Sequence, residues 1–226
     1  MNRRLFNTYL LGTLGTALLP AAGALELQEG RDWRPLSPPQ PDADPARVEV
    51  LEFFSYGCPH CAEINPHIVS WAGNLPADVD FQRVPVTFGR AAWKALARLY
   101  YALYYDDALQ RLDQVVFDAV TKQRANLYTE RAILSWVADQ GLDPEGFAKV
   151  LNSFAVETAL ARATDLAARL RVDAVPRIIV DGRYVVVGDA ARDYKGLLDI
   201  ADGLIAKARQ TGAEAQHGPA RVSNAV

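Results

Sequence analysis

A chain of 226 residues with 24 Lys+Arg against 27 Asp+Glu carries a formal charge of −3, and half of its residues are hydrophobic. That length suits one large domain or a domain with an insertion, and the apolar share is enough for an ordinary core. So even a charge balance gives no reason to expect nucleic acid or an anionic membrane surface as the partner. Two cysteines are too few for a disulfide scaffold or for a Cys-only zinc site.

The chain opens as an export signal. Arg3 and Arg4 give a positive start, Leu10 to Leu19 a short apolar run, and Ala22-Gly23-Ala24 a small-x-small cleavage pattern. Residues 1–24 are therefore expected to be a signal peptide, removed before Leu25. Arg3-Arg4-Leu5-Phe6 also resembles the start of a twin-arginine signal, although the ordinary secretory route is the expectation. Asn7, Thr8, Gly12 and Gly15 dilute the run too far for a good membrane anchor, and no other stretch is long and apolar enough to span a bilayer. An exported protein works where disulfides persist.

Residues 25–46 hold Trp33 and the prolines Pro35, Pro38, Pro39, Pro41 and Pro45, which predict an extended lead-in with an edge strand near Arg31–Leu36. Val48 to Phe54 is nearly all apolar, broken mainly by Glu52, as a central strand covered on both faces would be. A helix is predicted from Pro59 to Trp71, with Pro59 in its first turn and Pro66 kinking it. Val79 to Val86 is a second strand, so the unit is a parallel crossover.

A helical block follows. Trp93, Leu96, Tyr100, Leu103 and Tyr104 fall at helical spacing, as do Leu109, Leu112, Val116 and Ala119; both stripes are most simply core. Thr129 caps a helix over Glu130–Gln140 that Gly141 closes, Asp143-Pro144 opens another, and Val156–Leu170 is the last. Val175–Val180 returns to strand character, Asp181-Gly182 signals a hairpin turn, and Arg183–Val187 returns. Tyr194–Arg209 is a closing helix, and 210–226 is expected to be a disordered tail. The fold class is α/β: 47–88 and 172–209 form one domain, interrupted by an all-helical insertion at 89–171.

The chemistry concentrates in Cys58-Pro59-His60-Cys61, where a strand ends and a helix begins. Two thiols so spaced can close and reopen a small disulfide ring. Cys58 at the helix N-terminus meets unpaired N–H groups and the positive dipole end, which favour the thiolate that attacks and leaves in exchange. Cys61, a turn further in, is the buried resolving thiol. Pro59 removes one N–H, and His60 adds a positive charge or a donor near the sulfur. A stabilised thiolate stabilises the reduced form, which makes the oxidised form a disulfide donor. As a structural staple the pair is poor, because its loop is tiny. As half a zinc site it lacks partners, since only His60, His67 and His217 remain and His217 lies in the tail. No metal and no cofactor beyond the Cys58–Cys61 disulfide is expected.

Two further positions stand out. The Val175-Pro176 bond precedes a strand and is open to either isomer, and a proline at a strand's start leaves the preceding backbone free to pair with an extended chain. Glu52 is an acid in an apolar strand, costly if buried unless Arg83 on the neighbouring strand pairs with it; otherwise it is an edge-exposed carboxylate. The pair could assist proton movement at Cys61.

The run from Glu52 through Cys61, a helical insertion, and Val175-Pro176 before a hairpin together resemble the DsbA family of periplasmic thiol:disulfide oxidoreductases over about residues 30–207. The resemblance implies a thioredoxin-like fold with an inserted helical subdomain and a periplasmic location. It implies a nucleophilic Cys58, a resolving Cys61, a cis-proline at Pro176 facing them, and a buried Glu52 with Arg83 beside it. It also implies unfolded exported proteins as substrates and a DsbB-like membrane quinone reductase as reoxidant. One position departs from the family, which usually has a small residue after that proline where this chain has Arg177. A cation there could favour the thiolate or change which peptides dock. The expected protein is thus a monomeric oxidant of newly exported chains. A disulfide isomerase or reductase on the same fold, and a peptide-binding chaperone with incidental cysteines, are the alternatives.

Overall fold

In the computed structural model, β2 (Val48–Phe54) lies inside the sheet, and only Glu49 along it is less than fully buried. It pairs in parallel with β3 (Val79–Pro85) on one side and antiparallel with β4 (Arg177–Val180) on the other. A strand with neighbours on both edges and cover on both faces reads as a continuous apolar run. The structure describes residues 26–40, 44, 46–188 and 191–216; the signal peptide expected at 1–24 and His217 lie outside these.

The remaining strands are β1 (Trp33–Pro35) and β5 (Tyr184–Val186), and the sheet order is β1-β5-β4-β2-β3. The predicted edge strand is present, shorter than Arg31–Leu36. Asp181 and Gly182, both at positive φ (54° and 52°), make the tight turn between β4 and β5 that the Asp-Gly pair announces. Helix α1 (Pro59–Ala72) connects β2 to β3 and continues across Pro66. Five helices occupy the chain between β3 and β4: α2 (Ala91–Tyr105), α3 (Leu109–Thr121), α4 (Glu130–Asp139), α5 (Pro144–Leu151) and α6 (Phe154–Arg169). Their starts follow local capping chemistry, with Thr129, Asp143 and Ser153 accepting hydrogen bonds from backbone N–H groups of α4, α5 and α6.

The closing helix α7 runs from Tyr194 to Gln216, which corrects the expectation of disorder over 210–216, while 217–226 lie outside the described residues. Ala208 of this helix is buried, and the Thr211 hydroxyl lies 3.2 Å from that of Tyr184 in β5, so the sheet holds the next turn in place.

The pleat divides the core. Val48 and Val50 face α1 and α7, packing with Ile64, Ile68, Leu204 and Ile205. Leu51 and Phe53 face the other way, toward Ala163 and Leu166 of α6. A third cluster joins Phe54, Tyr56, Cys58 and Cys61 to Leu99, Leu103, Phe117 and Phe147 of the helical segment. Glu52, two residues from both Val50 and Phe54, therefore points to the α1 side of the sheet.

Candidate active site

Cys58 stands at the N-cap of α1 in extended conformation (φ −104°, ψ 115°), with Pro59 in the first turn. Its Sγ accepts from the Cys61 backbone N–H at 3.4 Å. In its thiol form it donates to the Val175 carbonyl oxygen at 3.5 Å. Both cysteines are unbonded, so this is the dithiol state. Cys58 keeps 7% of its surface and Cys61 none, so the first sulfur is more enclosed than an exposed helix end but alone faces outward.

The two thiols are driven apart electrostatically. Cys58 is held down to about 6, against an ordinary 9.0. A hydrogen bond from the Cys61 thiol is the main cause, opposed by burial and helped by the backbone N–H groups of Cys61 and His60 and by the His60 charge. Cys61 is pushed up, first by that same hydrogen bond, then by burial and by the negative charges of Cys58 and Glu52. One sulfur is a thiolate at neutral pH and the other a thiol.

The Val175–Pro176 peptide bond is cis, as is Ser37–Pro38, which the sequence did not flag. Pro176 lines a groove of about 510 Å³ with Ile178, Val186, Tyr194 and Leu197. Arg177 also lines this groove, while its guanidinium donates to Asp173 at 2.9 Å, and Arg34 approaches the same carboxylate oxygen at 3.6 Å. The charge acting on Cys58 comes from His60. His60 is exposed, with Nδ1 3.4 Å from Glu63 Oε2, an oxygen that also accepts from the Tyr194 hydroxyl. Among the described residues no group of three or more His, Cys, Asp or Glu could hold a metal ion.

Glu52 is wholly buried, and its Oε2 accepts from Arg83 Nε at 2.6 Å. The pairing anticipated for these residues is present, but it belongs to a larger cluster. Arg83 Nη1 donates at 2.7 Å to Asp113 Oδ2, which also accepts from Asn65 Nδ2 at 2.9 Å, while Asp113 Oδ1 accepts from the Tyr56 hydroxyl at 2.7 Å. The Arg83 guanidinium also lies 4.3 Å from the Phe54 ring centroid. Burial raises the Glu52 pKa from its ordinary value, against the pull of Arg83 and with the Asp113 charge adding to the rise.

Sequence reasoning missed Asp113, Asn65, Glu63, Tyr194 and the cover that Trp93 provides. A signal existed for the first two. Asp113 is four residues after Leu109 and three before Val116, and Asn65 is three before Ile68, so both polar residues sit on apolar helix faces. Trp93 had no such signal: its Nε1 lies 2.6 Å from where a Cβ on Gly57 would be, so the indole covers the turn before Cys58 only because residue 57 has no side chain.

Over most of its length the chain is similar to known proteins. The family model for a DSBA-like thioredoxin domain matches residues 49–195. The thiol:disulfide interchange protein DsbA of Bordetella parapertussis is 40% identical over 192 residues, covering 84% of this chain and 90% of its own. The protein of that name from Pseudomonas aeruginosa PAO1 is 35% identical over 189 residues, covering 84% and 89%. Among solved structures, Pseudomonas aeruginosa DsbA superposes with a TM-score of 0.76 at 35% identity, covering 81% of this chain and 95% of that one. The oxidoreductase DsbA from Xylella fastidiosa gives 0.72 at 29%, covering 81% and 98%.

Proposed function

This chain belongs to the DSBA-like thioredoxin domain family and is a thiol:disulfide oxidoreductase, and from that premise we propose that it works as an oxidant, donating a Cys58–Cys61 disulfide to reduced proteins after export. A substrate thiolate attacks Cys58 Sγ, forming a mixed disulfide, and the electron pair of the broken bond passes to Cys61, which takes up a proton. A second substrate thiolate then attacks its own sulfur in the mixed disulfide and releases Cys58 as a thiolate. Substrate is oxidised by two electrons and the enzyme reduced by two.

The observation that carries this direction is the split between the thiols: Cys58 is held down to about 6 while Cys61 is pushed up. A leaving thiolate that is stable at neutral pH leaves fast and makes the reduced enzyme the lower state. Pro59 and His60 set the charge and donors at that sulfur. Val175, just before Pro176, offers a carbonyl 3.5 Å from it, so an extended substrate segment can align beside Cys58. Glu52 with Arg83 serves proton uptake and release at Cys61, and Arg177 acts at the rim through its pairing with Asp173.

The redox unit is residues 47–88 and 172–209, with 89–171 the insertion, and the apolar groove beside Pro176 receives substrates and the reoxidising partner. That partner is a DsbB-type membrane protein passing electrons to a quinone, and the site of action is the periplasm, reached through residues 1–24. The disulfide is the only redox group the reaction uses.

The test is redox equilibrium with glutathione, together with oxidation of a reduced dithiol peptide. The expected potential is well above that of thioredoxin, about −270 mV; a value near thioredoxin's would make the protein a reductant or isomerase. Cys58→Ser is expected to abolish turnover, and a peptide oxidised at the wild-type rate by that variant would end the assignment.

A further inference from the structure

Two acids and one base are buried together beneath the thiol pair: Glu52 from β2, Asp113 from α3, and Arg83 from β3 between them. A single guanidinium cannot balance two carboxylates in a low-dielectric site, so one of the acids is best held neutral. Hydrogen bonding decides which. Asp113 accepts from Tyr56 at one oxygen and from Asn65 and Arg83 at the other, so both its oxygens are committed as acceptors. Glu52 accepts only from Arg83, through Oε2, and its Oε1 is buried without a hydrogen-bond partner among the described residues. A carboxylate is favoured where donors converge, and a carboxylic acid where they do not. Resting on the reading of Glu52 as the proton carrier for Cys61, we propose that Asp113, a residue of the helical insertion, is a positioning residue for the exchange reaction: it draws off one arm of Arg83 and so makes Glu52 the member of the cluster that holds the proton.

The groups facing Glu52 are Arg83, Asp113, Cys61 of α1 and the hydroxyl-bearing Tyr100, while Tyr56 joins through Asp113; its β4 neighbour, Ile178, is apolar. Burial raises the Glu52 pKa and the Asp113 charge adds to the rise, in the same sense as the hydrogen-bond pattern. Arg83 and Asp113 form part of the floor of a surface pocket of about 390 Å³, whereas Glu52 and Cys61 are fully buried. When a substrate thiolate attacks Cys58, the S–S bond breaks, its electron pair goes to Cys61, and the proton passes from Glu52 to that sulfur, leaving the Glu52 carboxylate beside Arg83. In the reverse step, Cys61 returns the proton as it attacks.

The test uses the oxidised full chain and two readouts. Infrared spectroscopy at neutral pH is expected to show the carbonyl band of one buried protonated carboxylic acid, lost in Glu52→Gln, lost in Asp113→Asn and retained in Asp113→Glu. In single-turnover oxidation of a dithiol peptide, the fall in rate as Glu52 ionises is expected about one pH unit lower in Asp113→Asn than in wild type. In a Glu52→Gln background the Asp113 change is expected to move nothing. A band that persists in Asp113→Asn, or an equal profile shift with Glu52 already replaced, overturns the proposal. Should Asp113→Asn fail to fold, Asp113→Gln replaces it, and a wild-type spectrum without the band overturns the proposal by itself. If instead the infrared results hold while Glu52→Gln exchanges like wild type, the reading of Glu52 as proton carrier fails and the proposal with it. Continued turnover by Cys58→Ser would strike the redox assignment while leaving the infrared result intact.

Discussion

Cys58 couples redox state to stability through its ionisation. Its folded pKa is depressed to about 6 from 9.0, so between those values the folded reduced chain carries a thiolate where the unfolded chain carries a thiol. The unfolded state then binds more protons, and stability rises with pH. The contribution is complete above 9.0 and is lost as pH falls through about 6. At about 1.4 kcal/mol per unit, three units amount to about 4 kcal/mol at most. The oxidised chain has no thiol to ionise. Urea unfolding of both forms is therefore expected to show the reduced form gaining on the oxidised form between about pH 6 and pH 9. A gap independent of pH would mean that the Cys58 thiolate is not specially stabilised. At this scale the sequence showed the thiols, the proline and the Glu52–Arg83 pair, because each breaks a strong local pattern. Asp113 broke a pattern too, on the apolar face of α3, but an acid on a helix is usually solvated, and only the packing of α3 against α1 turns it inward.

The turn joining β2 to α1 is the element on which access to the sulfur depends. Ser55 Oγ accepts from Gly57 N–H at 3.1 Å, and the Cys58 N–H donates to the Ser55 carbonyl at 3.0 Å, so the chain reverses tightly before the helix starts. Trp93 then closes over Gly57. A methyl group at 57 meets the indole, which is only half-buried and can swing aside. Gly57→Ala is accordingly expected to cost about 1 kcal/mol, the low end for overpacking, and to expose Cys58 further. Urea midpoints, tryptophan emission and the rate of Cys58 alkylation measure the three effects. Unchanged emission and alkylation would show that the indole does not cover the site. Helices and strands were legible because period and capping residues are local signals. The far end of α7 was not, since Gln210-Thr211-Gly212 is poor helix sequence and is held by Tyr184 of β5, a long-range contact.

For the molecule as a whole, the helical segment is an insertion in sequence but not a separate core. Phe117 of α3 is fully buried, with its ring centroid 4.7 Å from that of Tyr56 and 5.9 Å from that of Phe54, the two aromatics that lead into Cys58. The Asp113 carboxylate ties Tyr56 and Arg83 to the same helix. A core shared this way gives neither part a stable state of its own, so the chain should unfold in one transition despite its interrupted order. Phe117→Ala tests the coupling. Truncating a buried phenylalanine costs about 3–5 kcal/mol, and because the ring packs on both parts, helix and redox site should weaken together. Far-UV helicity and thiolate absorbance at Cys58, followed on the reduced chain in urea, are expected to disappear at one shared midpoint, lower than in wild type. A variant whose helicity melts first while the thiolate persists would show that the insertion folds on its own, and that the sheet with α1 and α7 suffices to hold the sulfur.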